Sequence, residues 1–225
     1  MMGTLTVPPR LEKLLAPAYA DGARVHTNSW GNPRALGAYD NMAIQVDEFV
    51  WGHPEMLVVF AAGNSGVDKD RDGRIDEGSV TSPGTAKNAL TVGASENYLI
   101  TGGIQRKVGD VSGGQWSAEP LGSDLLSNNA DGIAVFSSRG PTNDGRIKPD
   151  VVAPGTNILS NCSQVPGASP LWGNYNKDYC YSGGTSMSAP LVAGAAAVVR
   201  ENLVKNLNLT NPSAAAVKAV LLHTA

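Results

Sequence analysis

Gly183-Gly184-Thr185-Ser186-Met187-Ser188-Ala189-Pro190, running on through Leu191 to Val199, is the stretch on which the reading of the chain turns. A glycine pair lets the backbone approach a neighbour closely or take positive φ. Thr185 or Ser186 then suits the N-cap of a helix, and Pro190 is tolerated in a first turn. Leu191 to Val199 is apolar on every face, which predicts a helix buried all round. Ser186 at its mouth feels the positive end of the helix dipole. Taken alone, the turn also reads as a plain helix cap. It lacks the Gly-Lys-Ser/Thr of a phosphate-binding loop, and Ser188 stands where a nucleophile elbow requires glycine.

Outward from that helix the chain alternates. Leu11, Leu14, Leu15 and Ala18 after Pro8-Pro9 predict an amphipathic helix ending at Asp21-Gly22. Ala23 to Asn28 reads as a short strand, and Tyr39 to Trp51 as a helix with Met42, Val46, Phe49 and Val50 at helical spacing. Leu57 to Ala61 is a continuous apolar run of strand length, which suggests a parallel strand covered on both faces. Leu90 to Ala94, Ile133 to Phe136 and Val151 to Ala153 are further strands, and Pro212-Ser213 opens a last helix to Ala225. The alternation predicts an α/β fold, a mostly parallel sheet flanked by helices.

Composition sets the outer limits. The 225 residues suit one domain with a sizeable core. A net charge of −3 with no Lys/Arg cluster gives nucleic acid no electrostatic footing. No apolar run reaches the roughly 18 residues of a membrane span, and Met1-Met2-Gly3 opens no leader pattern.

Four further motifs accompany the serine turn: His26-Thr27-Asn28-Ser29-Trp30-Gly31, Phe60-Ala61-Ala62-Gly63-Asn64-Ser65-Gly66, Phe136-Ser137-Ser138-Arg139-Gly140-Pro141 and Ile147-Lys148-Pro149-Asp150-Val151-Val152-Ala153-Pro154-Gly155. Together and in this order they resemble the subtilisin-like serine proteases, closest in look to the secreted alkaline members. The resemblance covers the chain from about Val25 onward. It implies Ser186 as nucleophile and Asn64 as an oxyanion donor alongside the Ser186 backbone N–H. It implies that Ser29, Trp30 and Gly31 pair with an extended protein or peptide substrate, and that Ala61, Ala62 and Gly63 line the pocket for the residue before the scissile bond. An extracellular location follows from the same likeness.

One departure is decisive. A serine nucleophile needs a base and an orienting partner, and in the subtilisin order Asp and His precede Ser. The family's Asp-Ser/Thr-Gly and His-Gly-Thr motifs occur nowhere in the sequence. Residues 1–225 therefore look like one partial subtilisin-like domain, incomplete at its N-terminal side and inactive alone. The alternative is a non-catalytic half-domain or pseudoenzyme that binds a partner chain. Sheet and helix surface left uncovered would be met by a homo-oligomer or a complementing N-terminal segment.

Two features carry secondary chemistry. Asp68-x-Asp70-x-Asp72-Gly73-Arg74-x-Asp76 matches the first nine positions of a calcium loop, with the Arg74 carbonyl at position seven. Position twelve is Ser79, with Glu77 two before it; the match favours a structural calcium site that stiffens the loop beside Asn64 over a merely solvated acidic loop. Cys162 and Cys180 are the sole cysteines. A secreted relative would pair them, adding about 3 kcal/mol; two buried thiols are the other reading.

Overall fold

The computed structural model describes residues 6–111 and 113–225; the leader pattern looked for at Met1-Met2-Gly3 falls outside them. In chain order come α1 (Glu12–Ala20), β1 (Val25–Asn28), β2 (Asn32–Leu36), α2 (Asn41–Gly52), β3 (Leu57–Ala61), β4 (Thr81–Ser82) and β5 (Leu90–Ser95). Then follow a single turn α3 (Val108–Val111), β6 (Val151–Pro154), β7 (Ile158–Asn161), β8 (Tyr179–Ser182), α4 (Thr185–Lys205) and α5 (Ala214–Thr224).

The central sheet has the order β1-β3-β5-β6 and is parallel throughout. Every residue of β3 is buried, as its unbroken apolar run requires. Its side chains alternate between two cores. Leu57, Val59 and Ala61 meet Ala189, Val192, Ala193 and Ala196 of α4 and Val217 of α5. Val58 and Phe60 meet Leu11 at the start of α1, Leu15 within it, and Val46, Phe49 and Val50 of α2. The result is three layers, helices on both faces of a parallel sheet. Local chemistry starts the helices: Asp40 caps α2 by accepting from Met42 N and Ala43 N, and Ser213 caps α5 by accepting from Ala216 N.

Three expectations are corrected. Ile133–Phe136 is no strand. It makes one isolated bridge, Ile133 to Ser95, and its Ala134 N–H donates to Ala94 O, so it crosses the end of β5 without running beside it. Second, α4 is not buried all round: Leu191 is 47% and Val198 66% exposed, with Gly194 and Ala195 open between them. These positions recur at helical spacing, so they form one apolar stripe facing away from the sheet. At the sheet, β1 is an edge strand, and α4 packs on it as it does on β3, β5 and β6.

Third, Cys162 and Cys180 are free thiols. They sit diagonally across the β7–β8 hairpin, where Cys162 N donates to Asp178 O and Ser160 faces Cys180. The Cys162 thiol is pushed up to about 11 by lost hydration and by its hydrogen bond with Cys180. No helix among the described residues is long and apolar enough to cross a membrane.

Candidate active site

Ligands of parallel sheets gather at the carboxyl ends of the strands. Here β1 runs out into Ser29-Trp30-Gly31 and β3 into Ala62-Gly63-Asn64, and both loops meet the start of α4. The three enclose a cleft of about 260 Å³ lined by Ser29, Trp30, Gly31, Gly63, Asn64 and Ser186, among others, with no ionisable side chain in the lining. A larger apolar hollow of about 600 Å³ lies between α2 and α5, lined by Val50, Trp51, Ala214 and Leu222. Its one hydroxyl, Ser213 Oγ, is engaged in capping α5 by accepting from Ala216 N, so size does not mark the site.

The serine turn is held in place by backbone that only glycine can supply. Gly184 takes φ of +137°, and a Cβ there would press on Asn64 Nδ2 at 3.1 Å. Its N–H donates to Gly155 O at 2.7 Å, and Ser188 Oγ donates to Pro154 O at 3.2 Å, tying the turn to the end of β6. Neither Thr185 nor Ser186 is the N-cap, as the sequence suggested. Gly184 is, and the capping acceptor comes from far away in the chain.

That acceptor is Asn64. Its Oδ1 accepts from Thr185 N at 2.9 Å and from Thr185 Oγ1 at 3.0 Å, while Thr185 Oγ1 in turn accepts from Gly63 N at 3.2 Å. With the oxygen so committed, Nδ2 is left without an acceptor among the described residues and lies beside the serine turn. Ser186 follows in the first helical turn, where backbone N–H groups lack intrahelical partners. The site thus presents an amide N–H and a backbone N–H at a helix N-terminus, a pair suited to receiving negative charge. Thr185, buried and bonded to both Gly63 and Asn64, went unrecognised in the sequence as the organiser of this geometry.

Ser29 and Ser186 are crossed: Ser29 Oγ donates to Ser186 O at 2.9 Å, and Ser186 Oγ lies 3.4 Å from Ser29 O. The second contact is long and weak. Trp30 is pinned by its Nε1 donating to Asn28 Oδ1 at 3.2 Å and by edge contact with Phe60. No histidine serves Ser186. His26 is half-buried in β1, its Nδ1 3.0 Å from Asn28 Nδ2, and burial lowers its pKa. His53 stacks on Phe49 and bonds Phe49 O, and His223 closes α5.

The family model of the subtilases, Peptidase_S8, matches residues 10–225. The chain belongs to the subtilase family. The serine protease/ABC transporter B family protein tagD of Dictyostelium discoideum is 29% identical over 97% of this chain and 15% of its own length. Serine protease AprX of Bacillus subtilis is 32% identical over 69% of this chain and 27% of its own. The self-cleaved protease domain of PatA superposes with a TM-score of 0.60 at 21% identity, over 96% of this chain and 58% of that one. This subtilase chain therefore spans only part of the length of the relatives it matches. Within that part it has the family's α/β fold, a mostly parallel sheet with flanking helices.

The acidic loop of this subtilase lies just beyond Asn64. One oxygen each of Asp68, Asp70 and Asp72 falls within 4.8 Å of the others, and none of the three pairs with Lys or Arg among the described residues. Gly73 turns at φ of +82°. Asp76 is turned back, its Oδ2 accepting from Lys69 N, and Ser79 is buried against Arg139. The donor set fits a hard oxygen-seeking cation at three carboxylates and lacks the bidentate acid of a full loop.

Proposed function

We propose that this chain carries the nucleophile and oxyanion half of a subtilisin-like endopeptidase. It acts on protein or peptide substrates through an acyl-enzyme on Ser186. The observation that supports this reading is the orientation of Asn64, a lining residue of the cleft, whose oxygen is taken by Thr185 so that its amide nitrogen is left beside the serine turn. Ser186 Oγ attacks the scissile carbonyl carbon, and the carbonyl oxygen takes up charge between Asn64 Nδ2 and the Ser186 N–H. The serine proton passes to a base and from it to the departing amine; water then releases the acyl group. An extended substrate runs along Ser29-Trp30-Gly31 as an added strand. Location outside the cell goes with this reading.

The base comes from polypeptide other than the described residues. The apolar stripe of α4 and the β1 edge are the surfaces on which a complementing segment docks, a second copy of the chain being the other occupant they suit. A purely binding role for the chain is the competing reading, favoured by the lack of any base at Ser186. In the complemented enzyme, Asn64→Leu should lower kcat about 10²–10³-fold with KM little changed, a magnitude measured on a subtilisin. A kcat within about threefold of the parent would remove Asn64 from the mechanism.

The acidic loop would hold calcium through Asp68, Asp70 and Asp72 with the Arg74 carbonyl, Asp76 staying on Lys69 N, and would stiffen the segment that follows Asn64. Calcium at a hundredfold excess over Kd should then stabilise the fold by about 2.7 kcal/mol. Asp70→Ala with Asp72→Ala should abolish the response. A melting curve indifferent to calcium and to chelator overturns the assignment.

A further inference from the structure

We propose that Thr81 closes the floor of the substrate pocket, so that this subtilase takes a small neutral side chain, of alanine or serine size, before the scissile bond. The inference rests on the cleft reading above and names its substrate class.

The walls of the pocket are the bare Cα faces of Gly31 and Gly63. Flat walls of that kind would ordinarily leave a slot deep enough for a ring. Here the slot is occupied. A Cβ built on Gly31 would strike Thr81 Oγ1, and one built on Gly63 would meet Thr81 Cγ2 at 2.6 Å. The methyl of a single threonine thus faces Gly63, while its hydroxyl lies against both glycines. Thr81 is 4% exposed and cannot swing away. Its N–H and its hydroxyl both donate to Ala62 O, at 2.9 and 3.2 Å. A β-branched side chain has few χ1 choices, and β4 fixes its backbone against β2.

The remaining lining agrees. Asn64, Ser65 and Thr185 bring short polar groups, Ser138 Oγ lies behind Gly63 and holds Ser65 N at 3.0 Å, and no charge is present to receive a basic or acidic side chain. An aromatic ring entering this space would have to displace a buried, hydrogen-bonded side chain, whereas a methyl or hydroxymethyl group fills what is left.

The test measures binding, so it does not depend on turnover. The probes are acetyl-Ala-Ala-Pro peptides ending in the boronic acid analogue of alanine or of phenylalanine, titrated by calorimetry into the full chain. The alanine probe should bind the parent at least about tenfold tighter than the phenylalanine probe, within the range a hydrophobic pocket achieves for small size differences. Thr81→Ser keeps the hydroxyl and removes only the methyl facing Gly63, so it should narrow the ratio. Thr81→Gly should bring it to unity or reverse it. Thr81→Val keeps the shape and loses the hydroxyl, so it should retain the alanine preference. Should Thr81→Gly fail to fold, judged by its melting curve, the serine and valine pair decides. Equal or phenylalanine-selective binding by the parent, lost in Ser186→Ala, would overturn the role of Thr81 and leave the cleft reading standing. If neither probe binds in a Ser186-dependent way, the cleft reading falls and this inference falls with it.

Discussion

Assayed alone on casein or peptide anilides, the purified chain should hydrolyse no more than its Ser186→Ala variant. Among the described residues the one hydrogen-bond partner of Ser186 Oγ is the Ser29 carbonyl, at 3.4 Å, and a carbonyl cannot take a proton from a serine about to attack. A subtilisin stripped of triad members keeps only about 10³–10⁴-fold catalysis over water, far below a working protease. Activated esters, whose leaving groups need no protonation, should still turn over slowly and in a Ser186-dependent way. A family segment bearing the Asp-Ser/Thr-Gly and His-Gly-Thr motifs, added in trans, should raise peptide hydrolysis by at least about 10³-fold. Val198→Asp, a charge set in the open stripe of α4, should prevent that rescue without altering the melting temperature of the isolated chain. Strong Ser186-dependent peptide hydrolysis by the chain alone would refute the argument, and persistent silence with a docked segment would favour the binding role.

The largest effect on stability is expected at Asp150. Its carboxylate receives Lys148 Nζ at 2.6 Å and Lys218 Nζ at 3.0 Å, and accepts from Thr91 N at 2.7 Å. The Lys148 side chain is 3% exposed. Burial drives its pKa down to about 8, with Asp150 opposing that fall. Asp150→Ala strands a buried ammonium and removes the ion pair that ties Lys218 of α5 to the end of the sheet, which should cost about 3–5 kcal/mol. The pH dependence has a definite sign. A lysine whose folded pKa lies below its unfolded value binds fewer protons when folded, so stability rises with pH between the two values. In the parent that window opens near pH 8; without Asp150 it opens lower and is wider. The deficit of Asp150→Ala should therefore be greatest near neutral pH and shrink in alkali. Urea melts at pH 6.5 and 9.5 measure both, and a deficit under about 1 kcal/mol at pH 6.5 would refute it.

The sequence carried most of the architecture because local pattern dictated it. The unbroken run Leu57–Ala61 has no polar face to offer water and became the central strand. Pro212-Ser213 announced the last helix, which Ser213 caps. What stayed hidden depended on partners remote in the chain. Thr185 reads as a cap, yet the cap is Asn64, 121 residues earlier. Ile133–Phe136 has strand composition, but it crosses the β5 terminus and gains only a bridge. The Ala/Val run after Pro190 reads as uniformly buried, because composition reports what a helix tolerates and not what lies against it. Thr81 gave no signal at all. Its importance arises only when Gly31 and Gly63 are brought to either side of it.

The half-covered helix has a further consequence. In α4 the element that offers Ser186 at one end is the element that offers bare Leu191 and Val198 along its outer side. A helix is stiff over this length, so whatever comes to rest on the stripe is indexed to the serine at a fixed distance and angle. Docking and arming would then be one event. On the reading proposed above, a segment that settled on the stripe would act as the switch as well as the supplier of the base.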